Sequence, residues 1–73
     1  DAVKVYPVPA RDVINVEAPA QVKALELYNI CGEKVAAVNG ANAISVEELG
    51  QGVYLMRVVT TEGSSVHRVA VSK

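Results

Sequence analysis

Short runs that alternate apolar with polar residues, each closed by a turn residue, are the feature that most restricts the fold of this chain. In residues 13–17, Ile14 and Val16 are separated by a polar residue, as in a strand with one buried face. Such runs recur at close intervals, which is typical of a β-sandwich or barrel. The seven strands predicted from them are residues 2–6, 13–17, 22–29, 34–38, 43–46, 53–61 and 66–73.

The segments between these runs carry residues that favour turns. Proline fixes φ and cannot donate to a sheet ladder, glycine tolerates positive φ, and Asn-Gly favours left-handed turn geometry. We therefore expect a hairpin loop at residues 30–33, a corner at residues 47–52 and a last turn at residues 62–64. The turn signals behind these predictions are Pro7-Val8-Pro9, Gly32, Asn39-Gly40, Gly50, Gly52 and Gly63.

Composition supports strands over helices. The 73 residues include 15 Val, 3 Ile and 2 Thr, all β-branched, against 4 Leu and no Phe or Trp. A chain of this length forms at most one domain, and a core without Phe or Trp must be thin. We predict a single all-β domain over residues 1–73, a compact seven-stranded immunoglobulin-like antiparallel β-sandwich.

The sixth and seventh predicted strands have the most informative patterns. The sixth begins with apolar residues on both faces, among them Tyr54 on one face and Leu55 on the other, so we expect it to be central or partly covered on both sides. In the seventh, Val69 and Val71 should face the core and Arg68 should face outward.

Charge and hydropathy exclude several classes of partner and location. A net charge of -1 provides no general attraction to nucleic acid or to an anionic membrane, and no apolar run approaches the length of a membrane span. The chain also opens without a basic and then apolar leader. We therefore expect no nucleic-acid partner, no direct membrane insertion, and either a cytosolic protein or a piece of a longer exported one.

The residues that could carry chemistry lack the partners that such chemistry needs. His67 is the single histidine and Cys31 the single cysteine, so metal-ligand spacing is missing, and a thiol enzyme would require these two residues to meet after folding. Asp12, Glu47 and Glu48 do not follow the spacing of a calcium loop. We predict no catalytic residue, no metal and no cofactor.

Four segments with distinctive motifs follow one another in order and fill most of the chain: residues 5–16 (VYPVPARDVINV), 27–35 (LYNICGEKV), 44–58 (ISVEELGQGVYLMRV) and 66–73 (VHRVAVSK). They contain a proline-containing opening, a Gly-containing hairpin, a Gly-x-Tyr block and a basic and apolar terminal strand. In these four motifs and their order the chain resembles the type IX secretion system C-terminal sorting domain.

The resemblance implies a sorting signal and not an enzyme. It implies that the domain directs a cargo protein, which can itself be an enzyme, through the type IX outer-membrane translocon of Bacteroidota. A surface sortase-like protease would then remove the domain, and the cargo would be anchored to lipopolysaccharide or released. On this basis the chain is the excised tail of a larger precursor that is exported through the periplasm to the cell surface or secreted.

Recognition by the translocon and by the protease would use residues near the last two strands. Val69 and Val71 would anchor the terminal strand, while Arg68 and Lys73 are polar and outward or terminal, hence better candidates for direct contact. Fold maintenance explains Gly52, Tyr54 and the two valines equally well. The residues that we single out are Gly52, Tyr54, Arg68, Val69, Val71 and Lys73.

Two alternatives stay open from the sequence. An immunoglobulin-like accessory or carbohydrate-binding module of an extracellular enzyme would have the same fold, although such modules usually display aromatic residues and this chain has only three Tyr. An exposed strand edge, or Cys31, could also support a weak homodimer.

Overall fold

The computed structural model describes residues 3–73, and every regular element in that range is a β-strand. Of the predicted first strand, Ala2 lies outside the described residues. The strands are β1 (Lys4–Tyr6), β2 (Val13–Glu17), β3 (Val22–Tyr28), β4 (Lys34–Asn39), β5 (Ala43–Ser45), β6 (Gly52–Thr60) and β7 (Gly63–Val71).

The strands form two sheets that pack face to face. The three-stranded sheet has the order β1-β2-β5 and the four-stranded sheet the order β4-β3-β6-β7. Every strand pair is antiparallel, and one isolated parallel bridge, between Ala10 and Val71, links the segment after β1 to the end of β7. The predicted seven-stranded antiparallel sandwich is confirmed.

The core is a single layer of aliphatic side chains between the sheets. Alternation along each strand sends every second residue inward, and the predicted inward residues of β2 and β7 are all buried. Leu25 and Leu27 of β3 and Met56 of β6 have no exposed surface. The buried set is Ala10, Ile14, Val16, Val22, Leu25, Leu27, Ile44, Val46, Met56, Val58, Val69 and Val71.

Strand β6 is central in its sheet, as predicted, but only one of its faces is covered. It lies between β3 and β7. Val53 and Leu55, on the face turned away from the core, are 38% and 42% exposed. The first half of that expectation, a central strand, is therefore confirmed, while the second sheet covers only the inner face of β6.

The last hairpin is tighter than predicted. Thr60 pairs with Gly63, so only Thr61 and Glu62 form the loop, and β7 begins three residues before the predicted start at Val66. The Thr60 hydroxyl accepts a hydrogen bond from the Glu62 N–H at 3.1 Å. A two-residue loop places the following residues in register with β6 whatever their side chains, which is why the polar Ser64 and Ser65 lie in the strand.

The loop between β3 and β4 follows its turn residues. Gly32 has a φ of 88°, which is the left-handed region that glycine tolerates. The Asn29 Oδ1 accepts the N–H groups of Cys31 and Glu33, each at 2.9 Å. The predicted hairpin loop is therefore confirmed, and a side chain that mimics a backbone turn supports it.

Candidate functional site

The structure brings the six candidate recognition residues together at one end of β6 and β7. Gly52 pairs with Val71 and Tyr54 with Val69, so four of them lie in two cross-strand pairs with one pair between them. Arg68 pairs with Leu55 one position further along. The Lys73 N–H donates to Gln51 Oε1 at 3.2 Å, which places it beside the start of β6. The six residues therefore form a cluster, although they face different directions.

Val69 and Val71 point into the core at this end. They are 1% and 2% exposed, so a partner docking on the folded domain cannot reach their side chains directly. Their burial fixes the opposite orientation for the residues between and beside them, because successive side chains of a strand alternate. Through this alternation the two valines hold Arg68 on the outer face of the sheet.

Tyr54 ties the corner before β6 to the strand itself. Its hydroxyl donates to the Gly50 carbonyl at 2.6 Å, and its ring packs against the edge of the core. A tyrosine near the start of the sixth strand that bonds to the backbone a few residues upstream is the tyrosine corner of immunoglobulin-like sandwiches. This bond gives Tyr54 and the Gly50-Gln51-Gly52 segment a structural role.

Lys73 is held by backbone carbonyls. Its ammonium donates to the carbonyl oxygens of Arg11 and Val46, each at 3.0 Å, and of Glu47 at 3.3 Å. Those carbonyls belong to the segments that follow β1 and β5, so the side chain joins the end of β7 to the three-stranded sheet. Lys73 is thus exposed, as a terminal polar residue should be, but its ammonium already donates to three carbonyls of the domain, which makes it a weaker candidate for direct contact than Arg68.

Arg68 is the candidate that is openly presented. It is exposed and borders two surface depressions that meet at Val53. One extends toward Val8 and the other toward Leu55 and Ile30, the latter 82% exposed. The guanidinium thus stands on an apolar outer surface of β6 and β7.

Three other charged residues of this outer face pair with one another. Glu26 accepts a hydrogen bond from the Tyr28 hydroxyl at 2.8 Å and forms ion pairs with Lys34 at 3.4 Å and Arg57 at 3.3 Å. The Tyr28 hydroxyl lowers the pKa of the Glu26 carboxyl, and the two cations lower it further against the opposing effect of partial desolvation. Arg68 forms no ion pair with any residue between 3 and 73.

Cys31 and His67 lie in separate parts of the domain, one in a loop and the other on a strand. Cys31 is exposed in the loop between β3 and β4, whereas His67 is on β7, with β6 between those strands. The His67 Nε2 is 2.8 Å from the Ser65 Oγ. The structure therefore does not form the nucleophile and base pair that a thiol enzyme would require.

Metal-ligating side chains do not cluster in residues 3–73. No group of three or more His, Cys, Asp or Glu side chains there is placed to hold a metal ion. In the same range the structure contains no helix that is long and apolar enough to cross a membrane.

Sequence reasoning missed three contributors to this end of the domain. The Ala10 N–H donates to the Ala70 carbonyl and the Ala10 carbonyl accepts from the Ser72 N–H, each at 2.8 Å. No local pattern marks Ala10 or the three carbonyls around Lys73, because both depend on segments far apart in the chain. Ile30 lies in the predicted loop at residues 30–33. An apolar side chain in a turn is a local signal of exposure, and it could have identified this residue.

A comparison with models of protein families finds a match over residues 4–72 with the family described as "Secretion system C-terminal sorting domain". No curated protein matches the chain.

Proposed function

The chain belongs to the family of type IX secretion system C-terminal sorting domains, and from this premise we propose that it directs an attached cargo protein through the outer-membrane translocon. Membership of the family implies a sorting signal that is not itself catalytic, contact with the secretion system, and export to the cell surface or secretion. The match over residues 4–72 is the observation that carries the proposal.

The later steps of the pathway are part of the same proposal. After translocation a surface sortase-like protease cleaves the precursor on the N-terminal side of the domain, and the cargo is anchored to lipopolysaccharide or released. A folded, self-contained sandwich suits this role, since a protease can then act on the connecting segment without unfolding the signal.

Within the domain, we assign direct recognition to the outer face of β6 and β7 around Arg68. Val69 and Val71 are core residues, Tyr54 holds the corner and Lys73 joins the sheets, so these support the recognition surface by maintaining its shape. Arg68 is exposed, unpaired within residues 3–73, and surrounded by exposed apolar side chains. A charge on an apolar surface fits recognition by a protein better than simple solvation does.

The test is export of a reporter joined to the N-terminal side of residues 1–73 in a cell with a functional type IX system. We expect the wild-type segment to place the reporter outside the cell. Arg68→Glu should reduce export strongly, while Lys23→Glu, the same change of charge at the opposite end of the sheet, should not. Both variants should stay folded, because reversing an exposed charge usually changes stability little.

Retention of the wild-type fusion in the periplasm, with the domain folded, would contradict the sorting function. Binding of the isolated domain to polysaccharides would instead favour a carbohydrate-binding module. The aromatic surface such a module needs is scarce, because the sequence has no Trp or Phe and Tyr6 is the single strongly exposed tyrosine in residues 3–73.

A further inference from the structure

The four sheet edges of the sandwich differ in how they are protected from pairing with another strand. Strands β1 and β5, at the edges of the three-stranded sheet, are each three residues long. Strand β4 carries Lys34 and a bulge opposite Leu27 and Tyr28. Short length, lysine and bulges are the devices by which proteins prevent unwanted edge pairing.

Strand β7 is neither short nor bulged, and Arg68 is its one formally charged side chain. It is nine residues long and pairs with β6 through nine consecutive residues without a bulge or a proline. Its first outward charge after the Thr61-Glu62 loop is Arg68. A long and regular edge of this kind is a template for addition of a further strand.

The free part of this edge is limited to residues 64–68. The Ala70 carbonyl and the Ser72 N–H point away from β6, because both bond to Ala10. Along an antiparallel strand the direction of the backbone groups alternates, so those of Ser64, Val66 and Arg68 point outward as well. Nothing in residues 3–73 pairs with them, whereas Ala10 and Lys73 hold the C-terminal end of the strand in place.

The side chains beside the free edge define what would bind there. Val66 is 61% exposed and Arg68 follows it two residues later on the same outer face. The apolar surface continues across the sheet to Val53 and Leu55. Lys34 and Arg57 both pair with Glu26, whereas Arg68 forms no ion pair within residues 3–73 and is the cation of this face that is free to meet a carboxylate.

We propose that an extended segment of a partner protein of the translocation machinery adds to β7 as a fifth strand of the sheet, along residues 64–68. The segment has an apolar side chain against Val66 and an Asp or Glu against Arg68, because cross-strand neighbours on one face contact each other. The backbone groups of Ser64, Val66 and Arg68 provide the affinity and the two side chains the specificity. The proposal rests on the proposed sorting function and specifies its mode of recognition.

The test compares Val66→Pro with Val66→Ala in the reporter fusion. Proline removes the outward N–H of residue 66 without removing a bond to β6, and proline is tolerated on sheet edges. We expect Val66→Pro to lower export, and capture of the domain by detergent-solubilised translocon, roughly tenfold or more. Val66→Ala keeps the N–H and should lose much less. Circular dichroism and thermal unfolding establish that both variants fold.

Amide hydrogen exchange gives a second readout that needs no substitution. Incubation of the ¹⁵N-labelled domain with solubilised translocon should slow exchange at Ser64, Val66 and Arg68, whose N–H groups face solvent in the free domain. Exchange at these amides that is unchanged by a bound translocon would overturn strand addition.

Failure of this proposal is distinguishable from failure of the sorting function. If the wild-type fusion is exported and a folded Val66→Pro fusion is exported equally well, the domain is a sorting signal but strand addition is wrong. If sedimentation shows a dimer that Val66→Pro abolishes while export stays normal, the edge pairs with a second copy of this chain, which also overturns the proposal. If the wild-type fusion is not exported, the sorting function itself fails.

Discussion

The two faces of the four-stranded sheet use the same residue types for opposite purposes. On the inner face, Leu27, Met56 and Val58 are fully buried against the other sheet. On the outer face, Leu55 is 42% and Val66 61% exposed, although leucine and valine there are chemically identical to those in the core. The strands are shared, so the difference arises only from which face the second sheet covers.

The two faces therefore differ in what their apolar side chains can contribute, which is stability on the inner face and recognition on the outer face. Apolar side chains that are removed from water stabilise the fold in proportion to the area buried. Those left on the outer face contribute little to folding, and a continuous exposed apolar surface marks a contact with another protein. The inner face therefore maintains the sandwich, and the outer face is available for recognition.

The largest effect should come from truncating the same residue type on each face. Leu27→Ala should lower the free energy of unfolding by about 2 to 5 kcal/mol, because it leaves a cavity in a core without Phe or Trp. Leu55→Ala should cost about 0.5 kcal/mol or less. Urea unfolding followed by circular dichroism measures both. Equal losses would remove the distinction between the faces.

A smaller effect should come from the contact that joins the two sheets at their edge. Lys73→Met removes an ammonium that donates to three carbonyls and should cost about 1 kcal/mol. Lys23→Met, at an exposed lysine of β3, is the matched control and should be nearly neutral. Thermal unfolding of both variants separates the two cases, and a neutral Lys73→Met would mean that core packing alone holds the sheets together.

Glu26 and its polar partners on the outer face should make the free energy of unfolding depend on pH. The Tyr28 hydroxyl lowers the pKa of Glu26 below its ordinary value of 4.5, with help from Lys34 and Arg57. A carboxyl with a lowered pKa stabilises the fold above that ordinary value and loses the contribution as pH falls through the lowered one. The stability difference between wild type and Glu26→Gln should therefore be constant at neutral pH and shrink in acid.

Tyr28→Phe is the control for that pH dependence. It removes the hydrogen bond that contributes most to lowering the pKa of Glu26, so the acid-induced loss of stability should become smaller. Urea unfolding at a series of pH values measures this. An unaltered pH profile in Tyr28→Phe would assign the effect to the ion pairs instead.

The smallest effect should come from replacing Cys31 and His67, the two residues that a thiol enzyme would use. Cys31→Ser combined with His67→Gln should leave unfolding and reporter export close to wild type, because Cys31 is exposed in a loop and His67 contacts only a serine by hydrogen bonding. A severe export defect in a folded double variant would assign one of these residues to recognition.

Much of the fold could be predicted because a strand repeats every two residues. The alternation of Ile14 and Val16 in β2 and of Val69 and Val71 in β7 identified the buried face of those strands. The bounds of β2 were predicted to the residue. The start of β7 was not, because its first residues are ordered by a two-residue turn and by pairing with β6.

The candidate site was predicted in its location but not in the division of roles within it. The motifs placed the candidate residues at the start of β6 and toward the end of β7. Antiparallel pairing of these two strands brings the residues together. The outward direction of Arg68 followed from strand alternation. The hydrogen bond from Tyr54 to Gly50 and those from Lys73 to three carbonyls could not be predicted from spacing. Each of those facts depends on which distant segment a side chain meets.

The amino-acid sequence by itself determined the strand content, the inward face of most strands and the family. Periodicity and ordered motifs lie within short segments, so each can be recognised without knowing what the segment packs against. Only the tertiary structure decided which sheet face remains open and which edge remains free. Those depend on closure of the sandwich: the second sheet covers one face of β6, and Ala10 caps β7 only beyond Arg68. Covering a surface is a property of two segments at once, so no pattern within either segment records it.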